Sequence, residues 1–212
     1  MPSAHAFAIY IPAALILLAI PGPAVLYVVA TSVEGGRRAG LLSVCGVHLG
    51  SLVHVAAACA GLSALIVSSA IAFSTVKYVG AAYLVYLGIR KWLEQDEAPV
   101  PGNGQARGMP VPARAPRSGR RVFGQGVVVN VLNPKTALFF LAFLPQFVDR
   151  GGTVWAQIGV LGLVWVALGL LSDGAYALAG GTIGGFIRRR RKTVRIVSGG
   201  IFVGLGAVAA SS

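Results

Sequence analysis

Apolar residues gather into six stretches, at roughly 6–32, 40–67, 72–92, 122–147, 154–181 and 194–210. A helix needs about 20 such residues to cross a bilayer, so each stretch predicts one span. The second and third are separated only by the short run Ser68 to Thr75. From Ala39 to Ile89 the one charge is Lys77, and those 51 residues are too many for one helix and enough for two. The pattern predicts an all-α polytopic membrane protein with six transmembrane helices.

Between the third and fourth stretches the pattern stops. Gln95 to Gly119 holds Pro99, Pro101, Pro110, Pro112 and Pro116 among glycines and arginines. Such a composition cannot bury a core and reads as a linker. It divides the chain into a first three-helix repeat (1–94), a flexible basic cytoplasmic linker (95–121) and a second three-helix repeat (122–212). The third span of each half aligns without gaps: Val76, Val79, Val85, Leu87 and Gly88 meet Val194, Val197, Val203, Leu205 and Gly206. Three is odd, so a repeated three-span unit is inverted in the membrane, a recurrent plan of secondary transporters with the site at the repeat interface.

Composition strengthens the membrane assignment. The 212 residues are 56% hydrophobic and 11% charged, against about 25% charged in soluble domains, and the mean hydropathy is +0.77. The net charge of +12 changes the picture only through its distribution. Arg37, Arg38, Arg90, Lys91, five arginines of the linker region (107, 114, 117, 120 and 121), Arg188 to Lys192 and Arg195 all fall on loops after spans one, three and five. The other side carries Lys77 and Arg150. Basic loops stay cytoplasmic, which predicts both termini outside. The run Arg188 to Lys192 therefore reads as a topology signal in a lipid bilayer, not a nucleic-acid patch. No Lys or Arg precedes Arg37 and the first apolar run is long, so a cleavable signal peptide is not expected. Cys45 and Cys59 lie about 21 Å apart along one predicted helix and cannot bridge.

Two spans carry helix breaks. In the first, Pro21-Gly22-Pro23 removes the donors for the Leu17 and Ala19 carbonyls, and Gly22 permits close approach. In the fourth, Pro134 frees the Asn130 carbonyl, beside the amides of Asn130 and Asn133. Interrupted helices at matching places in two halves point to a transport site.

Next to the second break stands Lys135, the only ionisable side chain from Val122 to Val148. A lysine at mid-membrane costs about 2.5–3.5 kcal/mol on insertion scales. Asp173 is the only acidic residue well inside a span, on a face shared with Gly169, Tyr176 and Gly180. Lys135 and Asp173 are the obvious partners for each other, either as a permanent ion pair or as the two poles of a zwitterion site. In the second reading Lys135 takes a carboxylate and Asp173 an ammonium or a coupling proton.

The remaining polar residues in the spans suggest less. His48 and His54 point from different faces of one helix and read as packing contacts; Cys45 with His48 lacks a second pair to complete a metal site. Gly46/Gly50 and Gly200/Gly204 are GxxxG pairs for close helix packing, with a homo-oligomer interface as the alternative. No nucleophile–base arrangement or phosphate loop stands out, so neither an enzyme nor a cofactor is expected.

The residues just described resemble those of a known family. Pro21-Gly22-Pro23, the Gly46/Gly50 span, Lys77 to Leu84, and above all Asn130-Val131-Leu132-Asn133-Pro134-Lys135 continuing through Phe139 to Val148 are similar to the bacterial amino-acid exporters of the LysE/RhtB family. The resemblance covers essentially the whole chain. It implies proton-driven export of amino acids or related metabolites, with the Pro-Gly-Pro and Asn-Pro-Lys motifs at Pro21 to Pro23 and Asn133 to Lys135. Asp173 falls where members often have an acid before a Tyr-Ala pair, here Tyr176-Ala177. The chain departs from many members at Ala24 and Ser51, where they have acidic residues. That leans towards neutral or hydroxylated amino acids over basic ones. A metal-ion exporter of the same superfamily would need more oxygen or sulfur ligands than Asp173 alone provides. A non-transporting scaffold would have no use for Lys135.

Overall fold

A computed structural model describes residues 1–62, 118–149 and 151–180, with scattered positions between 75 and 93 and between 189 and 207. Every regular element among them is helical. Helix α1 (Ala4–Ala19) starts at the Ser3 cap, whose hydroxyl accepts from the Ala6 N–H at 3.1 Å. It ends at Ile20, where the backbone turns extended (φ −75°, ψ 119°). Helix α2 (Pro23–Ala57) follows, with Pro23 in its first turn, a place where a missing N–H costs nothing.

Helix α2 is two arms. Gly36 interrupts it with φ 75° and ψ 178°, a conformation open to glycine and strained for other residues. The predicted boundary between the first two spans falls at this point. The first predicted span is therefore α1, the Pro21–Pro23 break and the first arm of α2; the second arm runs on into a π-helical turn, Ala58–Leu62.

The fourth predicted span is also broken. Helix α3 (Gly119–Val131) and the short α4 (Pro134–Leu138) continue through a π turn (Phe139–Phe143) and a 3-10 turn (Leu144–Phe147). The two parts are bent by 47° at the Leu132-Asn133 break. Helix α5 (Val154–Leu178) is the fifth predicted span. Among the described residues, two helices are long and apolar enough to cross a membrane, or three if the bent pair forms one span. The predicted spans at 72–92 and 194–210, and the aligned segments within them, lie largely outside the described residues, as does most of the linker.

Small residues set the helix spacing. A Cβ on Gly46 would collide with the Phe123 carbonyl, and one on Gly126 would sit 2.8 Å from the Ser43 carbonyl oxygen. Helices α2 and α3 thus touch backbone to backbone. The Gly46/Gly50 pair is spent on this internal contact, which leaves that face unavailable to a second copy. Gly40 and Gly180 close on Ser32 from two sides, and the Ser32 hydroxyl donates to the Ala177 carbonyl. In lipid such close packing replaces the hydrophobic drive.

A second cluster joins α1, α5 and the turns after α4. Tyr10, Phe139, Phe140, Leu144, Ile158, Leu161 and Trp165 are all buried there, and the Phe139 and Trp165 rings stack at 3.6 Å. The Tyr10 hydroxyl donates to the Leu161 carbonyl at 2.7 Å. Leu26, Leu163 and Leu171 are exposed on the outside, as lipid-facing side chains should be.

Candidate functional site

The two helix breaks meet. Between them lies a cavity of about 20 Å³, lined by Gly22, Ala24, Val47, His48, Ser51, Asn130, Asn133, Lys135, Thr136, Trp165 and Asp173, with Leu18 and Val25. That volume holds about one water and is far too small for an amino acid. The helices must part before anything larger can occupy it.

The first break exposes carbonyls, and three of them have found donors. Leu17 O accepts from the Ile20 N–H at 3.3 Å. Ala19 O, which lost its helical donor to Pro23, accepts from the Tyr176 hydroxyl at 2.8 Å. Ile20 O accepts from Lys135 Nζ at 2.6 Å. The Leu17 and Ala19 carbonyls, whose helical donors the prolines remove, are therefore closed off. Tyr176 acts on the break from α5 and does not line the cavity.

The second break is built on Asn130. Its amide donates to the Val47 carbonyl (2.8 Å) and the Ser51 hydroxyl (2.9 Å). Its side-chain oxygen accepts from Thr136 (2.9 Å) and Asn133 (3.3 Å). Its backbone carbonyl, freed by Pro134, accepts from the Asn133 N–H (3.0 Å) and His54 Nε2 (3.1 Å). Every polar group of the Asn130 side chain is thus matched. Asn133 caps α4 by accepting from the Lys135 N–H at 3.1 Å, and Pro134 occupies the first turn. The break is a rigid, satisfied structure that aims Lys135 across the bundle.

Lys135 and Asp173 line one cavity but do not pair, which corrects the first of the two sequence readings, the permanent ion pair. Asp173 Oδ2 lies 3.1 Å from His48 Nε2. Both side chains are buried, His48 at 4% and Asp173 at 3% exposure. Asp173 Oδ1 and His48 Nδ1 have no hydrogen-bond partner among the described residues. The reason is rotational: α5 turns its acidic face towards the second arm of α2, and Gly169, one turn earlier, admits the His48 ring where any Cβ would collide with it.

Of the residues singled out from sequence, Gly22, Asn130, Asn133, Lys135 and Asp173 line the cavity. Pro21, Pro23 and Pro134 shape the breaks behind it. His48, Ser51, Thr136 and Trp165 belong to the lining and were not anticipated. For His48 a signal existed: an imidazole between Gly46 and Gly50 is an ionisable group inside an otherwise uncharged span.

A family profile for LysE type translocators matches residues 15–212. The chain belongs to this family. A LysE-type translocator is a membrane-embedded transporter, which accounts for polar groups gathered at two helix breaks within apolar spans. The chain is 29% identical over 210 residues to an uncharacterized membrane protein of Vibrio cholerae, covering 98% of both. It is 34% identical to the membrane protein YrhP of Bacillus subtilis, covering 79% of both chains. It is 29% identical over 205 residues to a homoserine/homoserine lactone efflux protein of Salmonella typhi, covering 96% of this chain and 95% of the relative. No solved structure gives a significant match.

Proposed function

We propose that this translocator exports small neutral or hydroxylated amino acids, homoserine among them, from the cytoplasm in exchange for protons. The observation that carries this reading is that Lys135 and Asp173, of opposite charge, line one cavity between two helix breaks without pairing with each other. An amino-acid zwitterion satisfies both: Lys135 takes the carboxylate and Asp173 the ammonium. Ser51 and Thr136 stand in the same lining and offer hydroxyls to a hydroxylated side chain. Ala24 and Ser51 supply no second carboxylate, so the extra cation of a basic amino acid has no partner there. The efflux protein named above is a relative over nearly the full length, which supports homoserine as the first compound to try.

The proposed architecture is a three-plus-three inverted repeat (1–94 and 122–212) joined by the linker 95–121, in the bacterial inner membrane with both termini outside. The test is efflux from cells expressing the chain and loaded with single dipeptides, against cells carrying an empty vector. Enhanced appearance of homoserine, threonine or a similar amino acid outside is expected. No enhanced efflux across a broad panel would overturn the proposal.

A further inference from the structure

We propose that His48 is the proton-binding residue of the exchange, and that its imidazolium and the substrate's ammonium compete for Asp173. This rests on the amino-acid reading above and assigns the coupling ion a place within it.

The geometry sets the chemistry. With Asp173 ionised, the facing nitrogen of His48 carries the hydrogen, so Nε2 donates to Oδ2 at 3.1 Å. The lone pair of the neutral ring is then on Nδ1, the atom with no hydrogen-bond partner among the described residues. Buried polar atoms are almost always matched, and leaving one unmatched in a dry interior is costly. A proton arriving from water forms the Nδ1–H bond, turns the ring into an imidazolium and makes the contact with Asp173 an ion pair. Release reverses this: the Nδ1–H bond breaks and the proton returns to water. Histidine is the side chain whose unperturbed titration falls near physiological pH.

The surroundings make the two cations exclusive. Among the described residues, the ionisable groups that share this lining with His48 are Asp173 from α5 and Lys135 from α4; α1 contributes only Leu18 to it. Asp173 is the single carboxylate there, and the Tyr176 hydroxyl is committed to Ala19 O. Lys135 already places one positive charge in the cavity. A neutral His48 with a bound zwitterion leaves the site balanced, Lys135 against the carboxylate and Asp173 against the ammonium. An imidazolium would hold Asp173 itself and leave the substrate's ammonium without a carboxylate among these residues. Binding one cargo at a time is what an exchanger requires.

The test uses the purified full-length chain in detergent and L-homoserine, with L-threonine as a second ligand. Calorimetry between about pH 5 and 8, in buffers of different ionisation enthalpy, reads affinity and proton release together. For the wild type, affinity is expected to fall as pH is lowered across this range, by up to about tenfold per pH unit, with up to about one proton released per amino acid bound. His48→Gln, which keeps an amide donor for Asp173, is expected to bind with no pH slope and no proton release. A merely structural His48 would leave slope and release unchanged in that variant, and this result overturns the proposal. If His48→Gln does not fold, histidine-labelled wild type is read by NMR. One imidazole should lose its proton when homoserine is added at fixed acidic pH, and no such change overturns the proposal. The wild type binding neither amino acid overturns the amino-acid reading for these ligands and this proposal with it. Binding without a His48 response overturns this proposal alone.

Discussion

Lys135 reaches across the bundle to the Ile20 carbonyl at 2.6 Å, 115 positions away in the chain. One break thereby caps the other. A single neutral carbonyl compensates a buried ammonium poorly, so Lys135 is held ready to exchange that oxygen for a carboxylate. Lys135→Met keeps the length and removes the charge. Efflux is expected to fall to the empty-vector level. Abundance in the membrane should stay near that of the parent, because the change costs one interhelical hydrogen bond, about 0.6–1.7 kcal/mol. Adding Asp173→Asn should restore nothing, since Asp173 bonds His48 rather than Lys135. Transport by Lys135→Met at the parental rate would mean that Lys135 is not in the site.

Gly22 is where the first break approaches Lys135 most closely. A Cβ there would sit 3.1 Å from Lys135 Cδ and 3.7 Å from Nζ. The methyl meets a flexible side chain and not backbone, so Lys135 can shift by a few tenths of an ångström. Gly22→Ala is expected to fold normally and to raise the amino-acid concentration needed for half-maximal efflux. A dose series of dipeptide loading measures this, and an unchanged curve would show that the position of Lys135 is not critical.

Tyr176→Phe isolates the capping of Ala19. It removes the hydroxyl that satisfies this carbonyl and leaves the ring in place. A stability loss of roughly 0.6 kcal/mol is expected, read as a small drop in the unfolding temperature of the detergent-solubilised chain. Efflux should persist at reduced rate. Complete loss of efflux with unchanged stability would place Tyr176 on the substrate itself.

The breaks were legible in sequence because proline and glycine act on their own backbone. Pro23 starts α2, Pro134 starts α4, and Asn133 caps the latter, all through contacts within a few residues. The turn at Gly36 likewise falls where apolar sequence gives way to Gly35-Gly36-Arg37-Arg38. Partners were not legible. Asp173 and His48 are 125 positions apart, and their meeting depends on how α2 and α5 are rotated and how deeply each sits. Hydropathy constrains neither. Charge alone favoured Lys135 as the partner of Asp173. The outcome turned instead on Gly169, whose missing side chain makes room for an imidazole.

The contact between α2 and α3 is the most sensitive to size. A side chain at Gly46 would run directly into the Phe123 backbone, which cannot rotate away. Gly46→Leu is expected to force the two helices apart and to cost at least the 1–3 kcal/mol typical of overpacking, about. Membrane abundance should drop strongly. Leu49→Ala on an exposed position of the same helix should be neutral and serves as the control in the same fractionation experiment.

Gly169→Ala tests the rotational argument directly. The added methyl would occupy the space of the His48 ring, whose Nδ1 and Nε2 both lie 3.1 Å from the ideal Cβ position. The ring must move, and the 3.1 Å contact to Asp173 moves with it. Alanine favours a helix over glycine by about 1 kcal/mol, which offsets part of the packing loss of about 1–3 kcal/mol. Stability is therefore expected to change little, while transport falls. Displaced from His48, Asp173 would lose the ring nitrogen that faces its Oδ2. The pH dependence of efflux by Gly169→Ala is accordingly expected to differ from that of the parent, and measuring the rate across pH checks this. An unaltered pH profile would show that the His48–Asp173 contact has no bearing on transport.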